Sequence, residues 1–133
     1  MLRAENISFK VDGKYLLQES SIQFEQGKFH VIMGANGAGK STLLKLLAGD
    51  QKTSSGKIFL FEQNLEQYSK KEMATKRAVL SQHYSITFPI YVDDIVLMGR
   101  YPYFSTNPTA IDLSISNEAM QIGTHTCRER VSI

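Results

Sequence analysis

With 133 residues, 42% of them hydrophobic, the chain is long enough for one domain with its own core, and its 15 basic and 13 acidic residues leave a net charge of +2. That balance excludes the broad basic surface of a nucleic-acid binder, and a single cysteine, Cys127, excludes an internal disulfide framework. No apolar run reaches the roughly 18 residues of a membrane span, and the start Met1-Leu2-Arg3-Ala4-Glu5 lacks the apolar segment of a signal peptide. The expected location is the cytoplasm, with any membrane association made through a partner.

Leu2, Ala4, Ile7, Phe9 and Val11 recur at roughly alternate positions, which predicts a strand ending at an Asp12-Gly13-Lys14 turn. A second extended stretch takes Leu16-Leu17 and then Ser20 to Phe24 before Gln26-Gly27 breaks it. Phe29-His30-Val31-Ile32-Met33 reads as a short buried strand, and Ser41 to Ala48 as a leucine-rich helix closed by Gly49.

Between that strand and that helix lies Gly34-Ala35-Asn36-Gly37-Ala38-Gly39-Lys40-Ser41-Thr42, which fits the spacing of a phosphate-binding loop. A loop wraps a polyphosphate only if successive N–H groups turn inward, and a Cβ obstructs the backbone angles and close approaches this requires. Gly34, Gly37 and Gly39 supply that freedom, with Asn36 and Ala38 between them. The first turn of the helix then aims its unpaired amides and its positive dipole end at the same charge. Lys40 adds a mobile cation for the β and γ phosphates, the Ser41 hydroxyl suits a magnesium ion, and Thr42 adds another donor.

After the helix, 50–56 is a polar connection and Lys57-Ile58-Phe59-Leu60-Phe61 a further strand. Ser69-Lys70-Lys71-Glu72 has the form of a capping box and predicts a short helix to about Lys76. Ala78-Val79-Leu80-Ser81 reads as a short buried strand ending at Gln82. Asp93-Asp94 open a helix that runs through Met98 and stops at Gly99. Tyr101 to Phe104 and Asn107-Pro108 mark a loop, 111–122 an amphipathic helix, and 123–133 a frayed end. Of the aromatics Tyr84, Phe88, Tyr91, Tyr101, Tyr103 and Phe104, about half are expected in local core.

In this order the pieces resemble the ATP-binding subunit of an ABC transporter. The resemblance rests on Leu2 to Phe9, the Gly34 to Thr42 loop, Leu43-Leu44-Lys45-Leu46-Leu47-Ala48-Gly49, a Ser55-Gly56-Lys57-Ile58 turn and Leu80-Ser81-Gln82. Within that family, Phe88-Pro89, Val92 to Val96 and Met98-Gly99-Arg100-Tyr101-Pro102 are similar to importers of heme first, and of iron siderophores and cobalamin. The implied fold is α/β: the P-loop NTPase core of an ABC ATPase, with antiparallel strands, phosphate loop and helix, then the start of a helical subdomain. The implied division is about 1–83 for the ATP-binding core and about 84–133 for the start of the helical subdomain and the frayed end.

The resemblance makes Gly34 to Thr42 the Walker A loop and gives Lys40 and Gln82 catalytic roles, Gln82 as the Q-loop glutamine near magnesium and the attacking water. On the residues alone, a polar residue capping a strand end is the favoured reading of Gln82. The implied ligands are ATP and Mg2+, with Ser41 and Gln82 beside the metal. The implied partners are a transmembrane permease and a second ATP-binding subunit. The family's adenine-stacking aromatic falls at Val11 here, leaving Tyr15 as the nearby candidate. No Leu-Ser-Gly-Gly signature, Asp-Glu strand or switch histidine occurs, so the resemblance covers the front half of such a domain and implies a truncated copy that binds nucleotide without turnover. A non-catalytic nucleotide-binding or interaction fragment is the alternative; a P-loop kinase fits 82–102 less well.

Overall fold

A computed structural model describes the backbone of residues 1–80 and 87–129. The chain divides into two units, Met1–Met73 and Ala74–Ile133.

The first unit is built on a sheet of order β2-β1-β3-β4, in which every neighbouring pair is antiparallel. β1 (Leu2–Val11) turns into β2 (Lys14–Phe24) through Asp12 and Gly13, both at positive φ (48° and 81°). Two such residues match the right-handed twist of the flanking strands, so a two-residue loop suffices. β2 is continuous, where the sequence suggested two pieces: Ile7 to Val11 of β1 pair across it from Ser20 to Lys14 and span the polar interval.

Asn6 (φ 47°) bulges out of β1, and its side chain accepts a hydrogen bond from the Ser21 hydroxyl at 2.9 Å. Opposite the bulge runs β3 (Ser55–Leu60), so Ser55-Gly56-Lys57-Ile58 opens a strand rather than forming a turn. Gly56 is required there. Its φ is +80°, and a Cβ would lie 2.4 Å from the carbonyl oxygens of both Glu5 and Asn6. Phe61, expected in the strand, instead forms a tight turn with Glu62 (φ 48° and 66°) that leads into β4 (Gln63–Asn64), and its N–H donates to the Met1 carbonyl at 2.9 Å.

α1 (Lys40–Ala48) presents Leu43, Leu46 and Leu47 at helical spacing to Ala4, Ile7 and Ile58 of the sheet, and these residues form the buried core. Gly49 ends the helix at φ 74°, with its N–H on the Leu46 carbonyl at 3.0 Å. α2 (Lys70–Lys76) begins with the expected capping box: the Ser69 N–H donates to Glu72 Oε2 at 2.8 Å, and the Glu72 N–H to Ser69 Oγ at 3.2 Å.

Two expected strands are absent. Residues 29–33 form no strand, and Phe29, Val31 and Met33 are exposed; residues 78–80 form none either, and Leu80 is 96% exposed. Apolar, β-prone side chains make a strand only when a neighbour accepts their backbone bonds, and the strands of the described sheet are paired with one another. Ser81 and Gln82 lie outside the described residues.

The second unit contains α3 (Val92–Met98), a 3₁₀ turn at Tyr101–Tyr103, and α4 (Ala110–Glu129). α3 matches its expected bounds to within a residue. α4 runs on through 123–129, where a frayed end was expected; one internal glycine, Gly123, costs a helix only about 1 kcal/mol. The expected aromatic core is smaller than predicted. Phe88, Tyr91, Tyr101 and Tyr103 are exposed, Phe104 is half-buried against Tyr101, and Tyr84 lies outside the described residues.

Asp112 ties this unit together. Its carboxylate accepts from the Thr109 hydroxyl at 2.6 Å, the Thr109 N–H at 3.0 Å and the Arg100 guanidinium at 2.9 Å, while Arg100 stacks 3.9 Å over the Tyr103 ring. The start of α4 is thereby pinned to the turn that follows α3. The two Thr109 bonds first, and then Arg100, hold the Asp112 pKa below the usual carboxylate value. A depressed folded pKa gives stability that is complete above the unfolded pKa, near 4, and is lost as pH falls through the folded value. We therefore expect Asp112→Asn to lower the urea midpoint at pH 7, and the gap from wild type to narrow as pH falls below the unfolded carboxylate value. A gap that persists undiminished in acid would show that the charge is irrelevant.

Candidate functional site

Residues 34–39 join the exposed run to the first turn of α1, and two of the three glycines between them take left-handed angles. Gly37 and Gly39 have φ of 81° and 85°, in the left-handed region that side chains other than glycine resist. A Cβ on Gly39 would also stand 2.6 Å from the Leu16 carbonyl of β2, so the end of the loop is seated directly on the first hairpin. At Gly34 an added Cβ would meet the Ala38 Cβ at 3.5 Å, across the width of the loop. Asn36 and Gly37 form the exposed turn, and the Ala38 N–H closes it on the Ala35 carbonyl at 3.2 Å.

Lys40 is the first residue of α1, and its side chain folds back into the loop. Its Nζ donates to the carbonyls of Gly34 and Ala35, both at 2.7 Å. An ammonium has three N–H donors, so this grip leaves one for an anion. The first intrahelical bond runs from the Leu43 N–H to the Gly39 carbonyl at 2.8 Å. The amides of Lys40, Ser41 and Thr42 precede it, at the positive end of the helix dipole. Ser41 is exposed beside them and Thr42 half-buried. The structure thus places Gly34, Asn36, Gly37, Ala38, Gly39, Lys40, Ser41 and Thr42 in one loop and helix start that hold the Lys40 ammonium. Gln82 lies outside the described residues.

Sequence reasoning missed the part played by β2. Nothing in Leu16 announces it, since only its carbonyl supports Gly39. Its neighbour Tyr15 pairs across the hairpin with Lys10, whose ammonium stands 5.2 Å from the ring centroid, and both Tyr15 and Val11 are exposed. His30, read as a strand residue, makes a local contact instead: its Nε2 accepts from the Glu25 N–H at 3.1 Å and its ring meets Phe24 edge-on. Among the described residues no group of three His, Cys, Asp or Glu side chains converges on a metal position, and no helix is long and apolar enough to cross a membrane.

A glycine loop, an inward lysine and a helix N-terminus beside an antiparallel sheet define a P-loop nucleotide-binding fold of the ABC ATPase type. The chain belongs to the ABC transporter family, which it matches over residues 17–129. It is 45% identical over 98 residues to the hemin import ATP-binding protein HmuV of Rhodopseudomonas palustris strain BisA53, covering 74% of this chain and 36% of that protein. To the HmuV of Bordetella pertussis strain Tohama I it is 38% identical over 130 residues, covering 97% of this chain and 50% of that one. The chain thus spans half or less of the length of these relatives. Its fold is shared with the dimeric post-hydrolysis state of the ATP-binding cassette MJ0796 bound to ADP and Pi, at TM-score 0.73 and 18% identity, over 91% of this chain and 56% of that one.

Proposed function

We propose that this chain is the nucleotide-binding part of an ABC importer ATPase, and that the loop Gly34 to Thr42 holds the phosphates of ATP. The observation that carries this reading is Lys40: its ammonium lies in the loop that leads into the first amides of α1, where Gly37 and Gly39 take left-handed angles and Gly39 leaves no room for a Cβ. The residues also fit a nucleotide-borne Mg2+. The Ser41 hydroxyl is exposed at the first helical turn, where it supplies one oxygen ligand while phosphate oxygens and water supply the rest. When bound, the ion neutralises phosphate charge and orients the terminal phosphoryl group. Gln82 is assigned to the metal and attacking water on resemblance alone, and Tyr15 to adenine stacking.

Heme is the proposed cargo, supported by the hemin-import names of both relatives, with iron siderophores and cobalamin as the wider class. In the whole protein, ATP binding and hydrolysis drive the cycle of a transmembrane permease on the inner face of the membrane, with two ATP-binding subunits acting as a pair. The organisation we propose is an ATP-binding core over about 1–83 and the start of a helical subdomain over about 84–133. For the 133 residues alone we propose binding without turnover. Positioning and charge neutralisation are present, but the sequence contains no Asp-Glu strand, signature or switch histidine to orient water. A non-catalytic nucleotide-binding or interaction fragment is the second reading.

Calorimetry with ATP and a malachite-green phosphate assay test both statements on one sample. The expected result is ATP uptake that weakens when EDTA removes magnesium, with no phosphate release above buffer. No uptake by folded protein removes the binding proposal, and steady ATP turnover removes the proposal of binding alone.

A further inference from the structure

We propose that Asn36 is a site of spontaneous covalent modification: attack by the Gly37 backbone nitrogen converts it to aspartate or isoaspartate, and, given the nucleotide reading above, the product is a phosphate loop that has lost its grip. The chain has five asparagines, and the residues that follow them differ in what they permit. Ring closure brings a backbone nitrogen onto the preceding side chain, so the following residue sets how crowded the approach is. Ile7, Leu65 and Glu118 follow Asn6, Asn64 and Asn117 with bulky side chains, and Pro108 follows Asn107 with no N–H to give up. Only Asn36 precedes a glycine. The fold sharpens that difference. Asn6 accepts from the Ser21 hydroxyl at 2.9 Å and Asn64 from the Glu66 N–H at 3.0 Å, so each holds its amide oxygen in place. Asn36 and Gly37 instead form an exposed turn. A Cβ built on Gly37 would meet nothing within 4 Å, so the peptide between the two residues has room to rotate. Opening the turn, closed by the Ala38 N–H on the Ala35 carbonyl at 3.2 Å, costs only about 1 kcal/mol.

The chemistry balances with water alone. The Gly37 nitrogen, having given up its proton, bonds to Cγ of Asn36; the Cγ–Nδ2 bond breaks, and Nδ2 takes up the proton and leaves as ammonia. Water then opens the cyclic imide. Cleavage at Cγ restores the original main chain with an aspartate, whereas cleavage at the backbone carbonyl carbon leaves an isoaspartate, whose main chain runs through Cβ and Cγ. Neither step oxidises or reduces anything. Both products put an ionised carboxylate into a loop that meets phosphate, and like charges repel. Isoaspartate also lengthens the main chain inside the turn, which pushes the Ala35 carbonyl and the Ala38 N–H out of register.

The test incubates the 133-residue chain, and Asn36→Gln beside it, at mildly alkaline pH without nucleotide. Peptide mass mapping, ammonia release and enzymatic methylation of isoaspartate follow the conversion, and calorimetry with Mg-ATP follows its consequence. Glutamine must close a larger ring, which forms far more slowly. Asn36 is expected to convert at least about tenfold faster than Asn6, Asn64 or Asn117, because glycine leaves the attacking nitrogen uncrowded. The converted chain should bind Mg-ATP at least about tenfold more weakly than the fresh one. Asn36→Gln should end the incubation with the affinity it began with. Conversion no faster at Asn36 than at the other asparagines overturns the proposal, as does a converted chain that binds as tightly as the fresh one, or an equal loss of affinity in Asn36→Gln. If fresh, folded protein takes up no Mg-ATP, the nucleotide reading fails by itself, and conversion confined to Asn36 still upholds the modification site.

Discussion

Replacing Lys40 with alanine is expected to raise the dissociation constant for Mg-ATP about a hundredfold, leaving the fold of the first unit in place. The ammonium is held inside the loop by two carbonyls at 2.7 Å, so it meets an incoming phosphate without being recruited from solvent. Losing the one charge-assisted hydrogen bond that the remaining N–H makes, together with the charge behind it, costs about 3 kcal/mol, or two orders of magnitude in affinity. Lys40→Arg should recover little of this. Its planar fork is wider than an ammonium, and the loop is shaped around a compact point charge. The measurement is a calorimetric titration of wild type and both variants at one salt concentration. An alanine variant that binds as tightly as wild type would mean that the amides alone hold the phosphates.

The second large effect concerns stability. Gly56→Ala and Gly13→Ala place a Cβ on backbones of nearly identical angle, φ +80° and +81°, but into different surroundings. At Gly13 nothing lies within 4 Å, whereas at Gly56 two carbonyl oxygens of β1 stand at 2.4 Å. The hairpin substitution should therefore cost only the strain of a left-handed alanine, about 1 kcal/mol. The Gly56 substitution adds forced separation of β3 from the bulge at Asn6, for a total of roughly 3 kcal/mol. Urea midpoints of the two variants against wild type measure the difference. Equal shifts would show that the bulge yields freely and that Gly56 is retained for its φ alone.

Local chemistry explains which elements were legible beforehand. The Asp12-Gly13 hairpin, the Ser69/Glu72 capping box, α3 with its acidic first turn and the glycine loop each depend on residues within a few positions of one another. Their side-chain types alone therefore carry the signal. The Thr109–Asp112 cap was legible in the same way, as a threonine three residues before an acid, and went unread because proline and asparagine beside it suggested only a loop. Where the reading failed, the deciding partner was distant in sequence. Phe61 had every mark of a strand residue, yet the chain must turn there to bring β4 back onto β3.

The amino-acid order by itself determined that a phosphate loop lies between an apolar run and a leucine-rich helix, since glycine spacing, lysine and helix start are all written within nine residues. Only the tertiary structure decided what that loop rests on and what the apolar run becomes. The Leu16 carbonyl seats Gly39 from a strand more than twenty residues earlier, and Phe29, Val31 and Met33 stay bare. The reason is physical: a strand is a property of a pair, formed when another backbone accepts its hydrogen bonds, and no residue composition within 29–33 supplies that second backbone.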